Sequence, residues 1–274
     1  MARMKTLFSI GHGYAGRALE AVLGPEWRVL GSSRRPGAAP VLWPDGAAAA
    51  LAEATHLISW VPPDDAGDPV LPHLADLPAP RLCWVGYASA SSVYGDTGGA
   101  WIDETAPDAP GTPRGHRRLA AEEAWAAWSG ARGLPCARLR IAGIYGPGRS
   151  VFDALREGRA KRVVKPGQVF NRIHVEDLAR ITAAAAARHL DGPLILADDD
   201  PAPLSEVTAY AATLAGLPCP PEEPWDIAPL SPMARSFYAE NKRLRSCRIG
   251  PELGVSLKYP DYRAGLAAIL AAGG

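Results

Sequence analysis

The sequence predicts an α/β fold built on a doubly wound parallel sheet, on two observations. The apolar run Leu7-Phe8-Ser9-Ile10 ends in a glycine turn where Gly11, Gly13 and Gly16 keep the spacing G-x-G-x-x-G, and a helical pattern follows. Strand-like and helix-like runs then alternate through the first two-thirds of the 274 residues. That alternation is what a parallel sheet with crossover helices requires.

Strands are expected over 6–10, 28–31, 40–43, 56–61, 81–87, 136–141 and 194–197. The first, at Leu7-Phe8-Ser9-Ile10, is a nearly continuous apolar run, the form taken by a parallel strand buried on both faces. Helices are expected over 14–23, 46–53, 71–75, 117–129, 151–157, 175–189 and 204–215. Prolines punctuate residues 202–232, and the tail lacks strand periodicity. The division that follows is a Rossmann-type core over 1–200, with 147–172 contributing to a small C-terminal α-rich substrate lobe over 201–274.

Formal net charge is zero and 47% of residues are hydrophobic. Neither a nucleic-acid nor a membrane partner is expected on electrostatic grounds. Cys83, Cys136, Cys219 and Cys247 are scattered with no C-x-x-C pair. They read as reduced, mostly buried thiols of a cytoplasmic protein, with no metal cluster visible. The N-terminal apolar run has a basic flank but is too short for a signal peptide. The run 181–187 is too short to span a bilayer.

The glycine turn points to a dinucleotide. Gly11 permits the tight turn, Gly13 lets a pyrophosphate approach the backbone, and Gly16 lets helix and strand pack closely. Free N–H groups and the dipole at the helix start would hold the phosphate charge. The second strand ends in Ser32-Ser33-Arg34-Arg35, with no acid to accept bonds from an adenosine ribose. A guanidinium fork matches phosphate oxygens, so NADP is expected rather than NAD.

Four further segments, YASASSVYGD over 87–96, RIAGIYGPGR over 140–149, NRIHVEDLA over 171–179 and NKRLRSCRIGPELG over 241–254, complete a pattern. In this order the chain resembles the extended and atypical short-chain dehydrogenase/reductases, the NAD(P)-dependent epimerase/dehydratase group, over nearly its whole length. The resemblance implies an oxidoreductase or epimerase with a polar or anionic small-molecule substrate, often a nucleotide sugar. It places the cofactor against Gly11, His12, Gly13, Tyr14, Ala15 and Gly16, and against Ser33, Arg34 and Arg35. It adds Asp45 near the adenine, Trp60, Val61 and Pro62 on the ribose side, and Ala88, Gly143 and Ile144 near the nicotinamide. Homodimers are frequent in the group, and Trp125 and Trp128 nominate the helix over 117–129 as one contact surface, with core packing as the alternative.

The chain departs from the group at its chemistry. The Tyr-x-x-x-Lys pair and its Ser or Thr partner align with Arg114, Arg118 and Ala90, while Glu122 fits the expected acid. Arginine does not give up its proton in proteins. Arg118 could still hold the nicotinamide ribose, and Ser91, Tyr94, His116 or a water are the candidates for proton transfer. Strand alternation would turn Ser91 away from the site. Tyr238 and Lys242 match Y-x-x-x-K literally but lie outside the strand-to-helix context and are set aside. Asp177 is expected as an N-cap or first-turn acid, and His174 as a buried, hydrogen-bonded histidine. Two readings remain: an enzyme with an atypical mechanism, and a catalytically silent NADP(H)-binding sensor or interaction protein.

Overall fold

The structure, a computed structural model, describes residues 4–273; Arg3, in the basic flank, lies outside them. The chain runs β1 (Lys5–Ile10), α1 (Tyr14–Val22), β2 (Trp27–Ser33), β3 (Val41–Leu42), α2 (Ala47–Glu53), β4 (His56–Ser59), α3 (Leu71–Leu74) and β5 (Trp84–Ala90). A 3₁₀ turn (Ser91–Tyr94) leads to β6 (Trp101–Ile102), α4 (Pro113–Gly130), β7 (Cys136–Ile141), β8 (Gly143–Tyr145), α5 (Val151–Arg156), β9 (Arg162–Val164) and β10 (Arg172–His174). Then come α6 (Val175–Ala187), β11 (Gly192–Leu196), α7 (Leu204–Ala215), β12 (Glu222–Pro224), α8 (Pro232–Ser236), β13 (Arg243–Leu244), α9 (Ile249–Leu253) and α10 (Tyr262–Ala271).

Seven strands form one parallel sheet in the order β11-β7-β5-β4-β1-β2-β3. The chain builds outward from β1 through β2 and β3, then returns to the other side of β1 at β4. The strand order reverses there, and a crevice opens outside the carboxyl ends of the two strands. Alternate residues of β1 feed the two faces. Leu7 packs with Leu19 of α1 and Ile181 of α6. Phe8 and Ile10 pack with Leu51 of α2 and Trp125 of α4. Burial on both faces is why β1 reads as an unbroken apolar run.

Trp125 is fully buried, with its ring stacked 5.8 Å from that of Tyr87, and Trp128 packs in the same core. Both belong to the interior, so they offer no face to a second copy. Among the cysteines only Cys136 is buried; Cys83 is half-buried, and Cys219 and Cys247 are exposed. This corrects the expectation of mostly buried thiols. Among the described residues no helix is long and apolar enough to cross a membrane.

Several boundaries move for local reasons. β5 covers Trp84–Ala90 rather than 81–87, which brings Ala90 to the strand's carboxyl end. α4 begins four residues early: Pro113 occupies its first turn, and the Thr112 hydroxyl caps it by accepting from Gly115 N–H at 3.1 Å. His174 is the N-cap of α6, its Nδ1 accepting from Glu176 N–H at 3.2 Å. Asp177 is the first-turn acid instead, and accepts the N–H groups of Lys258 and Tyr259, each at 2.8 Å. The short strands β6, β8, β9, β10, β12 and β13 have two or three residues each, too few for a period of two to register.

Phe152 of α5, Val207 and Ala211 of α7, and Leu266 and Ile269 of α10 share a core away from the sheet. The tail does not stay with it throughout. β13 pairs with β6, and Ile249 and Leu253 of α9 join the core cluster of Leu7 and Leu19. Part of 201–274 therefore packs on the sheet rather than in a separate lobe.

Candidate functional site

A cleft of about 960 Å³ lies over the carboxyl ends of β1, β2 and β4. Gly11 turns with φ +69°, and a Cβ there would stand 2.7 Å from Val61 Cγ2, so the turn and the post-β4 segment touch. Gly13 is the N-cap of α1, with no side chain closing that end. His12 N–H is held by Ser32 O at 3.0 Å and Gly13 N–H by Gly11 O at 2.7 Å. The first-turn N–H groups of Tyr14, Ala15 and Gly16 have no intrahelical acceptor to meet. An uncapped helix start beside a glycine turn fits a pyrophosphate.

The third glycine has a more specific reason than expected. A Cβ at Gly16 would meet His12 Nδ1 at 2.9 Å, and one at Gly31 would meet His12 Cγ at 2.7 Å. The His12 ring thus lies wedged between α1 and β2. Ser9 Oγ holds Nδ1 at 3.0 Å and accepts from Trp60 Nε1 at 3.1 Å, while Glu20 holds Nε2 at 3.0 Å. This network sets the ring beneath the cleft floor. Tyr14 and Ala15, adjacent in sequence, do not line the cleft. The Tyr14 hydroxyl donates to Pro147 O at 3.0 Å, strapping α1 to the 146–149 loop, and Ala15 packs against the core.

Ser33, Arg34 and Arg35 line the cleft's rim, with Trp60, Val61 and Pro62 on the β4 side. Ser33 Oγ accepts from Arg35 N–H at 3.0 Å, which closes the turn after β2. Arg34 and Arg35 make no ion pair among the described residues. Two placements differ from expectation. Asp45 is exposed and does not line the cleft; Trp43 and Pro44 stand there in its stead. Ala88 is buried, and its carbonyl accepts from Arg118 at 2.9 Å.

A second cavity of about 500 Å³ opens past the ends of β5 and β7. Ala90, Ser91, Arg114 and Gly143 all line it. β5 ends at Ala90, and Ser91 begins a 3₁₀ turn, so strand alternation no longer governs Ser91 and it faces the same cavity as Ala90. Arg114, in the first turn of α4, lies 5.2 Å from the Phe237 ring centroid. Desolvation and then the neighbouring Arg118 cation push its pKa below the ordinary value, against the pull of Glu240. Arg118 does not line the cavity. It is buried behind β5, donating to Tyr87 Oη at 3.1 Å and to Ala88 O. Its expected position beside a ribose is corrected to one behind the strand. No tyrosine lines this cavity.

Tyr94 is likewise in the core, packed with Val93, Ala142 and Leu244. The Arg140 guanidinium lies 4.6 Å from its ring centroid, and burial pushes its pKa up to about 12. It lines neither cavity, which removes it from proton transfer. Arg140 is fully buried between Glu122 and Asp108, at 2.8 and 2.7 Å. Glu122 therefore holds β7 to α4. Of the Y-x-x-x-K match, Tyr238 is buried with its ring stacked on Trp225 at 5.3 Å. Lys242 does line the cavity, neutralised by Glu240 at 2.6 Å.

The second cavity shares Gly143, Phe170, Asn171 and Phe237 with a third, of about 670 Å³, that runs toward α5, α7 and α10. Ile144, Arg149, Lys161 and the buried Arg172 line that extension. Sequence reasoning missed Phe237 and Phe170, and nothing near either in the chain announces them. Asn171 stood in a quoted motif. It carries a signal only with its partners known, donating to Lys242 O at 2.9 Å and accepting from Leu244 N–H at 2.8 Å.

Comparison with known proteins agrees with this geometry. No curated protein matches the chain. A functionally unknown conserved protein from Silicibacter pomeroyi DSS is 48% identical, with 98% of this chain and 99% of that one covered and a TM-score of 0.87. Human epimerase family protein SDR39U1, solved with NADPH, is 20% identical over 97% and 99%, with a TM-score of 0.80. UDP-N-acetylglucosamine 4-epimerase from Bacillus cereus is 16% identical over 98% and 100%, with a TM-score of 0.76. Residues 81–194, from the approach to β5 through β11, match the model of the NAD dependent epimerase/dehydratase family. The fold is that of these solved structures, and residues 81–194 match the NAD dependent epimerase/dehydratase family.

Proposed function

We propose that the protein binds NADP(H) and acts as an oxidoreductase or epimerase on a polar, anionic metabolite of nucleotide-sugar type, without the family's tyrosine. The observation that carries the cofactor is the pairing of an uncapped glycine cradle with Arg34 and Arg35, cations on the cleft rim with no carboxylate partner. Bound NADP(H) supplies hydride exchange at a substrate carbon. The chain's own residues then have distinct tasks. Arg114 holds a phosphate or carboxylate, or the negative charge on a substrate oxygen, as a cation that keeps its proton. Ser91 passes a proton between that oxygen and solvent. Arg149 and Lys161 meet the anionic end of the substrate in the extended cavity.

No tyrosine lines the 500 Å³ cavity, and Tyr145, Tyr238 and Tyr262 line only its extension; this favours a second reading, in which the protein holds NADP(H) and reports on it without turnover. Fluorescence titration with NADPH and NADH tests the first claim: NADPH should bind at least about tenfold tighter, and equal affinities would remove the role of Arg34 and Arg35. A screen of UDP-sugars and carbonyl compounds for NADPH oxidation separates the readings. Tight binding with no turnover across the panel selects the silent one.

A further inference from the structure

The opposite, amino-end edge of the sheet holds a cluster that the cleft does not use. His56 opens β4, Cys83 immediately precedes β5, and His189 follows α6. Cys83 Sγ lies 3.5 Å from His189 Nε2 and 3.9 Å from His56 Nε2, and the three donor atoms all fall within 4.8 Å of one another. A tetrahedral zinc ion, with Zn–S of about 2.3 Å and Zn–N of about 2.0–2.1 Å, holds a sulfur and a nitrogen ligand roughly 3.6 Å apart. The two sulfur–nitrogen separations already bracket that distance.

The surroundings suit ligation. Thr55 Oγ1 lies 2.8 Å from His56 Nδ1, which fixes the ring with Nε2 on the Cys83 side, as outer partners of ligating histidines do. Trp27 meets the His56 ring edge-on at 4.6 Å, and Trp84 stands 6.2 Å away; the two give the inner side an apolar wall. Lys5 is held over the Trp27 ring at 4.8 Å. His189 takes φ +51°, a conformation uncommon outside glycine, and its exposure leaves the outer side open to water. In the metal-free state the Cys83 thiol donates to Thr55 O at 3.0 Å.

We propose that His56, Cys83 and His189 form a binding site for a thiophilic divalent cation, Zn²⁺ foremost, with water as the fourth ligand. A mixed sulfur and imidazole donor set selects such ions over Mg²⁺ or Ca²⁺. Binding replaces all but one of the aquo ion's waters by two neutral imidazole nitrogens and one thiolate. The thiol proton passes to solvent, and no electron changes hands. The ion ties the starts of β4 and β5 to the turn between α6 and β11, at the end of the sheet remote from the cleft.

Co²⁺ is the probe, titrated into the full chain. The expected spectrum combines a thiolate-to-cobalt charge-transfer band in the near ultraviolet with the intense visible bands of four-coordinate cobalt, and Zn²⁺ should bleach both. Cys83→Ser should abolish the charge-transfer band, and His189→Ala should weaken Co²⁺ binding by about tenfold or more. Because His189 is exposed, the latter variant should fold, as circular dichroism would verify. The double variant Cys219→Ser/Cys247→Ser should leave the spectrum unchanged. The proposal is overturned by weak octahedral bands alone in the native protein, by a charge-transfer band surviving Cys83→Ser, or by its loss in the double variant. NADPH affinity should be the same with and without metal, so this test stands apart from that of the cofactor.

Discussion

Along the carboxyl edge of the sheet, the half of the crevice beside β1 and β2 is built around a glycine turn and an uncapped helix start, and the half beyond β5 has neither. In the first half Gly11, Gly13 and Gly16 set the path of the chain, and α1 begins without a cap. Such a cradle recognises phosphate wherever the turn is kept. In the second half Ala90, Arg114 and Gly143 line the cavity, while Arg118 and Tyr94 lie in the core. Holding a dinucleotide depends on main-chain geometry, whereas moving a proton depends on a few replaceable side chains. The two capacities can therefore part within one crevice.

The largest effect expected separates support from chemistry in the second half. Glu122→Ala leaves Arg140 buried with Asp108 alone. Removing one partner of a buried pair should cost about 3–5 kcal/mol, read by urea denaturation. A cost below about 1 kcal/mol would show that Glu122 does not brace β7.

Next is the backbone cradle. Gly16→Val drives a Cβ against His12 Nδ1, Ser9 Oγ and Trp60 Nε1, at 2.9, 3.2 and 3.3 Å. Overpacking of this kind should destabilise by about 1–3 kcal/mol and abolish NADPH binding. Retained binding would detach the His12 wedge from the cradle. On the rim, Arg34→Ala should weaken NADPH by about 1–3 kcal/mol, the scale of a hydrogen bond to a charged group, and leave NADH unchanged. If isothermal titration shows no loss, the phosphate contact belongs to Arg35 or to neither.

A pH-dependent effect sits at Asp198, near the Arg172 guanidinium. Burial pushes the Asp198 carboxyl up to about 8, partly offset by the Arg172 guanidinium. In the unfolded chain the same group ionises near pH 4. Between about pH 4 and pH 8 the folded state keeps a proton that the unfolded state has released, so stability falls as pH rises through that window. Asp198→Asn should flatten this slope, gaining on the native protein toward pH 8; parallel stability curves would remove the assignment. The smallest effect expected is that of Tyr238→Phe, since its ring packs on Trp225 and Phe170. Any turnover should persist, and a collapse in kcat with the fold intact would return Tyr238 to the chemistry.

The places of the glycine turn, of Arg34 with Arg35, and of Trp60-Val61-Pro62 around one cleft were legible because each stands within a few residues of its own strand end. Ala90, Arg114 and Arg118 were legible as substitutions against a family pattern, but where they point was not. Ser91 faces the cavity because β5 ends one residue before it. Arg118 faces inward because Ala88 O and Tyr87 Oη lie across from α4. Asp45 failed for a similar reason, since it stands exposed while Trp43 and Pro44 line the cleft.

Periodicity and turn chemistry alone determined the parallel sheet and the cradle, because hydrophobic alternation and glycine φ are properties of neighbouring residues. Tertiary structure decided the rest. The cavity beyond β5 joins residues from 90 to 242, and the His56, Cys83 and His189 cluster joins three separate elements. Neither has a spacing to read, because contacts across a folded sheet are fixed by strand order and packing, and those emerge only when the whole core closes.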